Sequence, residues 1–510
     1  MNETKKQVSW MPLILVAFAS FIIALDATFM NVSISPLVID LNTDVGTIQT
    51  IISFYTLITA SLMLISSKMQ DVFGKKKIFL TGALVYGLGA FIASISQNAI
   101  MLFIGWSLLE GIGGALMTPA TISIISGTYD GQMRTTALAI SSAIVGIAAA
   151  IGPLFGGVVT TFLSWRYGFV FELLIILIIF IFRKRIPNFA STASKKDLDI
   201  TGSLLSAIGL ILLVLGVLMI SGKTIGLSIG LIIASIIVLI GFGLFEKRRK
   251  ANGKMPLFDV SLLKDRNLSR GTLIRLITAI AMGGSLFSIS IYLQTVLKLS
   301  AFNTGIVLLP LTFGMLIFSI MAPKFAIRLS HKYAMIIGFS IAIVGCLLLS
   351  YQFTLTTRFI DLLPGMFIYG AGLGFPMALS VDTALINTPP ESQSSASGFV
   401  STGQSLGMSM GTAIIGIILI VGAVGGMHDA INTYAPDKVT NQEFHDNVQG
   451  YFEKLGNVNT TELKHENSLK EKIVSKVVQD AMRLVMYVTA LLLAIGGALT
   501  FTLKKQKIKG

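Results

Sequence analysis

Lys68-Met-Gln-Asp-Val-Phe-Gly-Lys-Lys-Lys77 and Lys324-Phe-Ala-Ile-Arg-Leu-Ser-His-Lys-Tyr333 are two basic stretches in the same register, 256 residues apart. Each lies between two long apolar runs. Moving the first five apolar runs of the chain forward by 256 residues lands each on a later one, within a few residues. The sixth breaks the rule, because a polar stretch at about 425–480 intervenes before the last run. The chain therefore reads as six helices, two extra helices at about 200–245, and six more helices with an insertion before the final one. Parallel six-helix repeats are a common construction of secondary transporters, with substrate sites near the midplane between the halves.

Composition agrees with that reading. Of 510 residues, 53% are apolar and 13% charged, against about 25% charged in ordinary soluble domains. Mean hydropathy is +0.80. Disorder is excluded, and a soluble multi-domain enzyme does not fit. A membrane-spanning helix needs about 20 mostly apolar residues. The runs that meet this are 10–33, 46–66, 77–97, 99–126, 134–163, 167–183, 200–221, 224–245, 270–296, 302–323, 333–352, 356–381, 395–424 and 481–503. The first is longer than a signal-peptide core, carries Asp26 and runs into a second span, so it is not read as a cleaved signal. The expected fold is an all-α membrane protein of fourteen transmembrane helices, two six-helix bundles plus two central helices. Its expected divisions are 1–186, 187–268 (cytoplasmic linkers and the extra pair) and 269–510.

The net charge of +14 could suggest nucleic acid, but the positions of the charges assign it to topology. With the N-terminus inside, twenty-seven Lys and Arg fall on inner segments, whereas the short outer loops carry one each, Arg166, Lys223, Lys298 and Arg358. By the positive-inside rule both termini are cytoplasmic, and no nucleic-acid partner is expected. Cys346 is the single cysteine, so an intrachain disulfide is impossible. His331, His428, His445 and His465 all fall outside the apolar runs, and their spacing fits no metal template. No metal, cofactor or phosphate-cradling Gly-x-x-x-x-Gly-Lys-[Ser/Thr] loop is expected, so ATP is not the direct energy source.

Several short patterns carry chemistry. Asp71, Gly74, Lys75 and Lys76 follow the second span; Gly74 permits a tight turn, and Asp71 suits a neighbouring helix N-terminus. The fifth span contains Ala148-x-x-x-Gly152-Pro153-x-x-Gly156-Gly157. Its small residues allow close helix approach, and its proline kinks the helix. The first span holds Leu25-Asp26-Ala-Thr-Phe-Met-Asn31, and the fourth Ser107-Leu-Leu-Glu110-Gly111-Ile-Gly113-Gly114-Ala115. An ionisable residue inside the bilayer is costly and by default functional. Glu172, less than two turns inside the sixth span, can reach water or Arg166; Arg275 can snorkel to the cytoplasmic edge. Asn31, Gln404 and Tyr292 are candidates to line a cavity.

These residues resemble the major facilitator superfamily and, within it, the fourteen-helix drug:proton antiporter family. The resemblance covers essentially the whole chain. It implies that the Asp71–Lys76 segment latches the two halves at the inner face and that the Gly152–Gly157 pattern marks an exporter. Ser67 and Val72 depart from the family's loop pattern, and Ser35 shifts the proline of the first-helix signature by one. In the fourth helix Ser107 and Glu110 stand where the family has arginine and glutamine, so that arginine's proton-relay role has no bearer here. Isoleucine-, lysine- and asparagine-rich usage fits a low-GC prokaryote, with the cell membrane as the location.

The reading is a proton-coupled secondary transporter, not an enzyme. It exports amphipathic drugs or related organic compounds by alternating access, with the bilayer, those substrates and protons as its partners. Asp26 and Glu110 are the foremost proton-site candidates, with Glu172 next. An exporter or flippase of a lipid or metabolite is the alternative. A pore is disfavoured by the two-fold repeat with its antiporter-like helix. A membrane-embedded enzyme is remote, because the sequence shows no intramembrane histidine and no acid cluster with metal-ligand spacing. The insertion at about 425–480 is expected to form one or two short outer helices around Phe444, Val448, Tyr451, Phe452 and Leu455.

Overall fold

The computed structural model describes residues 9–129, 131–189, 191, 194, 198–221, 225–388, 393–434 and 468–503. Among these, helices account for the architecture and no strand occurs. The first six are α1 (Met11–Asp40), α2 (Val45–Phe73), α3 (Lys75–Ser94), α4 (Ala99–Thr128), α5 (Gly131–Phe162) and α6 (Arg166–Ile181). The central pair is α7 (Ile200–Leu218) and α8 (Ile225–Ala251). The last six are α9 (Arg266–Val296), α10 (Ala301–Leu329), α11 (His331–Ser350), α12 (Phe359–Leu385), α13 (Gln393–Tyr434) and α14 (Ser468–Phe501). Thirteen of the fourteen carry apolar stretches long enough to cross a bilayer. The other, α6, has 16 residues, about 24 Å at 1.5 Å per residue.

Short polar caps start several of these helices. Asp44 Oδ1 accepts from Thr47 N (2.8 Å) at α2, Asn98 Oδ1 from Met101 N (2.8 Å) at α4, and Asp265 Oδ1 from Asn267 N (2.7 Å) at α9. Each satisfies a backbone donor that the helix itself leaves free. Apolar side chains then face either lipid or the bundle. The central pair is the extreme case: Ile229, Ile233, Ile236, Ile237 and Ile240 of α8 are all exposed, as a lipid-facing helix requires.

The repeat appears as geometry. α1 packs on α5 as α9 packs on α13; α3 on α4 as α11 on α12; α2 on α4 as α10 on α12; α3 on α6 as α11 on α14. The halves meet through two related pairs, α2 with α13 and α5 with α10. The turn between α2 and α3 has Gly74 at φ +94°, and the turn between α10 and α11 has Ser330 at φ +80°, at the same 256-residue offset. Two residues on, Lys76 Nζ donates to Ile186 O (2.7 Å) just after α6, and Lys332 Nζ to Phe501 O (2.6 Å) at the end of α14.

The side of the molecule where α1 begins and α14 ends is here the terminal side, the other the far side. Among the described residues, six hydrogen bonds between the halves stand out. Gln294 Nε2 donates to Asn31 O (3.1 Å) and Ser35 N to Gln294 Oε1 (2.9 Å). Gln49 Nε2 donates to Thr412 O (2.9 Å) and Ser409 Oγ to Ser53 O (2.7 Å). Thr312 Oγ1 donates to Ala150 O (2.9 Å) and Phe302 N to Thr161 Oγ1 (3.0 Å). All six lie between mid-helix and the far end, so the far side is closed.

Two expectations change. The segment after the second span is not a loop: α2 stays helical through Phe73, and Gly74 N bonds Gln70 O (2.9 Å). No breaker precedes Gly74, so one positive-φ residue makes the whole turn and Asp71 sits in the last turn of α2. The outer insertion is shorter than expected, because 425–434 continues α13 and 468–480 belongs to α14. The rest of it, with His445 and His465, lies outside the described residues.

Candidate functional site

Three carboxyl groups converge inside the first half. Asp26 of α1, Glu110 of α4 and Glu172 of α6 are each at most 1% exposed. One oxygen from each lies within 4.8 Å of the others. The local sequence builds this convergence. Residues Phe103–Glu110 form a π-helical turn inside α4, a widening that recurs at functional sites. Gly89 of α3 leaves the space beside it: a Cβ there would stand 2.8 Å from Glu110 Cγ.

Aromatic donors hold the two outer members. Trp106 Nε1 donates to Asp26 Oδ2 (2.8 Å), and Tyr86 OH to Glu172 Oε2 (3.2 Å). Tyr55 of α2 stacks on Trp106, with ring centroids 5.8 Å apart. Among the described residues, five buried atoms have no partner in good hydrogen-bond geometry: Asp26 Oδ1, both oxygens of Glu110, Glu172 Oε1 and Tyr55 OH. Leaving a buried polar group unsatisfied costs about 1–3 kcal/mol, which makes the cluster the foremost candidate site.

This corrects the expectation that the membrane interior holds no acid cluster with metal-ligand spacing. The three acids come from three helices, so no spacing along the chain announces them. Glu172 reaches neither water nor Arg166. It is fully buried, and Arg166 instead pairs with Asp40 and donates to Ser96 O (2.7 Å). Asn31 turns its amide back to Ala27 O (3.3 Å) on its own helix, and Tyr292 OH donates to Thr354 O (2.5 Å) within the second half. Trp106, Tyr55 and Tyr86 were missed by sequence reasoning. One signal was available: Trp106 stands inside a span, four residues before Glu110, while Trp10 and Trp165 stand at span edges.

Arg275 does not snorkel. It is 9% exposed and donates to Gln404 Oε1 on α13 (3.1 Å from Nε, 2.6 Å from Nη2) and to Met377 O on α12.

The Gly152–Gly157 pattern is a close-packing face on two sides of α5. A Cβ on Gly152 would fall 1.9 Å from Thr28 Oγ1, and one on Gly156 2.4 Å from Phe29 O, both on α1. A Cβ on Gly157 would fall 2.7 Å from Ala301 O at the start of α10, and one on Gly305 2.3 Å from Pro153 O. α5 thus touches the helix of Asp26 on one side and the opposite half on the other. In the Asp71–Lys76 segment, Lys75 Nζ donates to Ser123 O (3.3 Å) and covers the Phe189 ring, while Lys76 reaches Ile186 O. These bonds tie α3 to its own half, and Asp71 makes no hydrogen bond or ion pair among the described residues.

Two six-helix repeats around a lipid-facing central pair, with buried acids in one half and a buried arginine in the other, define a multi-pass membrane protein of transporter build. The chain belongs to the Major Facilitator Superfamily, whose family model matches residues 16–412. It is 30% identical over 396 residues to the quinolone resistance protein NorB of Staphylococcus aureus, covering 76% of this chain and 84% of that one. It is 26% identical over 414 residues to the puromycin resistance protein pur8 of Streptomyces alboniger, covering 80% and 81%. Among solved structures, a bacterial homolog of the human lysosomal transporter Spinster, inward-facing and occupied, superposes with TM-score 0.62 at 14% identity over 98% of this chain and 97% of that one. The nucleoside transporter NupG superposes with TM-score 0.56 at 13% identity over 96% and 98%.

Proposed function

We propose that this transporter exports amphipathic organic compounds, drugs among them, in exchange for protons. The Asp26–Glu110–Glu172 cluster is the proton site. The observation that carries the reading is the 4.8 Å convergence of three buried carboxyls with unpartnered oxygens. Two carboxylates at that distance repel by about 3 kcal/mol at an effective dielectric of about 20. A protonated carboxyl gains an O–H donor, so protons remove the repulsion and give the orphaned oxygens partners. Opening the cluster to water on one side favours ionisation there, and closing it favours uptake. The conformational cycle thereby moves protons against substrate.

The names of the two resistance proteins support an amphipathic drug-like cargo. The twenty-seven basic residues on inner segments support a cytoplasmic terminal side and a cell-membrane location. In this assignment residues 1–186 and 269–510 are the two bodies that rock, 187–268 connects them, and the Asp71–Lys76 segment stiffens the inner end of the first body. The far side, closed here, faces outward.

Purified protein in liposomes, with an imposed pH gradient and a panel of fluorescent amphipaths, tests the reading. Gradient-driven dye movement is expected, abolished by a protonophore. The three-oxygen geometry also fits a small metal cation, so parallel vesicles receive a sodium gradient at equal pH on both sides. Transport driven by sodium alone would assign the cluster to a cation instead.

A further inference from the structure

Arg275 is a buried charge without a counter-charge. No carboxylate lies within 4.0 Å of it among the described residues, and its donors meet only the neutral Gln404 amide and the Met377 carbonyl. It lies nine residues into α9, about 14 Å along the helix axis. Buried charges are normally paired, because desolvation without a partner is costly. Three of its five N–H groups are engaged, which leaves two donors of the guanidinium. Its two partners, Gln404 and Met377, are both half-buried rather than sealed in the core. A guanidinium fork matches a carboxylate with two parallel hydrogen bonds. The buried acids, by contrast, sit in the first half and are held by Trp106 and Tyr86.

We propose that Arg275, oriented by Gln404, is the recognition site for an acidic group on the substrate. The transported compounds are then amphipathic carboxylates, free anions or zwitterions, rather than simple lipophilic cations. This rests on the export reading for its direction but not for its chemistry. The counter-charge that Arg275 lacks arrives with the cargo, and the proton site in the other half stays free for coupling.

The test uses a rhodamine bearing a free carboxylate and its methyl ester, two dyes of one shape that differ in the acid. Binding to the purified full-length protein is read by fluorescence polarisation, and transport in proteoliposomes under a pH gradient. The acid is expected to bind and move about tenfold better than the ester. Arg275→Gln should bring that ratio close to one, Arg275→Lys should restore part of it, and Gln404→Ala should lower it. Thermal unfolding of each variant reports folding separately, and the lysine variant keeps the test open where glutamine impairs it. Equal binding of acid and ester by the unaltered protein, no binding of either, or a ratio unmoved by Arg275→Gln overturns the proposal. If the acid binds better through Arg275 but no gradient moves either dye, the recognition site stands and the export reading fails.

Discussion

Each of the three clustered acids has different company, and that sets the expected phenotypes. Asp26 holds the Trp106 indole, Glu172 holds the Tyr86 hydroxyl, and Glu110 makes no hydrogen bond of good geometry among the described residues. Asp26→Asn, Glu110→Gln and Glu172→Gln should each reduce gradient-driven efflux at least tenfold in proteoliposomes. Because the three repel one another as one unit, pairs should cost little more than singles, as coupled residues do. At least one of the single variants should still bind dye, measured by polarisation. Full gradient-driven efflux in all three would place the proton site elsewhere. Gly152 offers a steric test at the same scale. The 1.9 Å approach to Thr28 Oγ1 leaves no room for any side chain, so Gly152→Leu should abolish export with protein still in the membrane. Gly152→Ala should be partly tolerated when combined with Thr28→Ala. Normal efflux with leucine would show that α1 and α5 do not need this contact.

Among the elements, the turns between α2 and α3 and between α10 and α11 perform the same task with different residues. Gly74 has φ +94° and ψ +137°, Ser330 φ +80° and ψ +155°. This corner of backbone space suits glycine, and another residue there is strained by about 1–3 kcal/mol. Ser330→Gly should therefore raise the unfolding temperature of the detergent-purified protein, and Gly74→Ser should lower it, followed by tryptophan fluorescence. A lower unfolding temperature for Ser330→Gly, or a higher one for Gly74→Ser, would mean that packing at the turns outweighs backbone strain. The connection after α8 is likewise specific. Glu246 Oε2 accepts from Leu257 N (2.7 Å) and Phe258 N (3.4 Å), and Phe258 stacks on Phe399 of α13 at 4.5 Å. The extra pair is thus anchored to the second half through its own carboxylate.

For the whole molecule, the six inter-half bonds on the far side describe one end of the transport cycle. Opening that side must break them. Cross-linking Thr161→Cys to Phe302→Cys, at the Phe302 N to Thr161 Oγ1 contact, should stop export while leaving dye binding from the terminal side intact. Continued efflux after quantitative cross-linking would mean that α5 and α10 need not part there. Orientation is tested by tags. A tag at residue 450 should be reachable from outside intact cells, and tags at 190 or 255 should not. Finding 450 inside would overturn both the fourteen-helix count and the placement of the final insertion.

Sequence alone determined the membrane class, the fourteen helices, the 256-residue repeat and the crowded glycine helix. Each of these rests on local information: apolar length, charge position, and residues whose size or backbone freedom has one use. Asp26, Glu110 and Glu172 were visible as costly charges within apolar runs for the same reason. Their union was not visible, because it depends on how α1, α4 and α6 rotate against one another and on a π turn in α4. In the sequence Arg275 stands just over one turn beyond Arg270 and so has the look of an edge charge. Only the packing of α9 against α12 and α13 decided that it turns inward, because the direction of a long side chain is set by the neighbours that give it room.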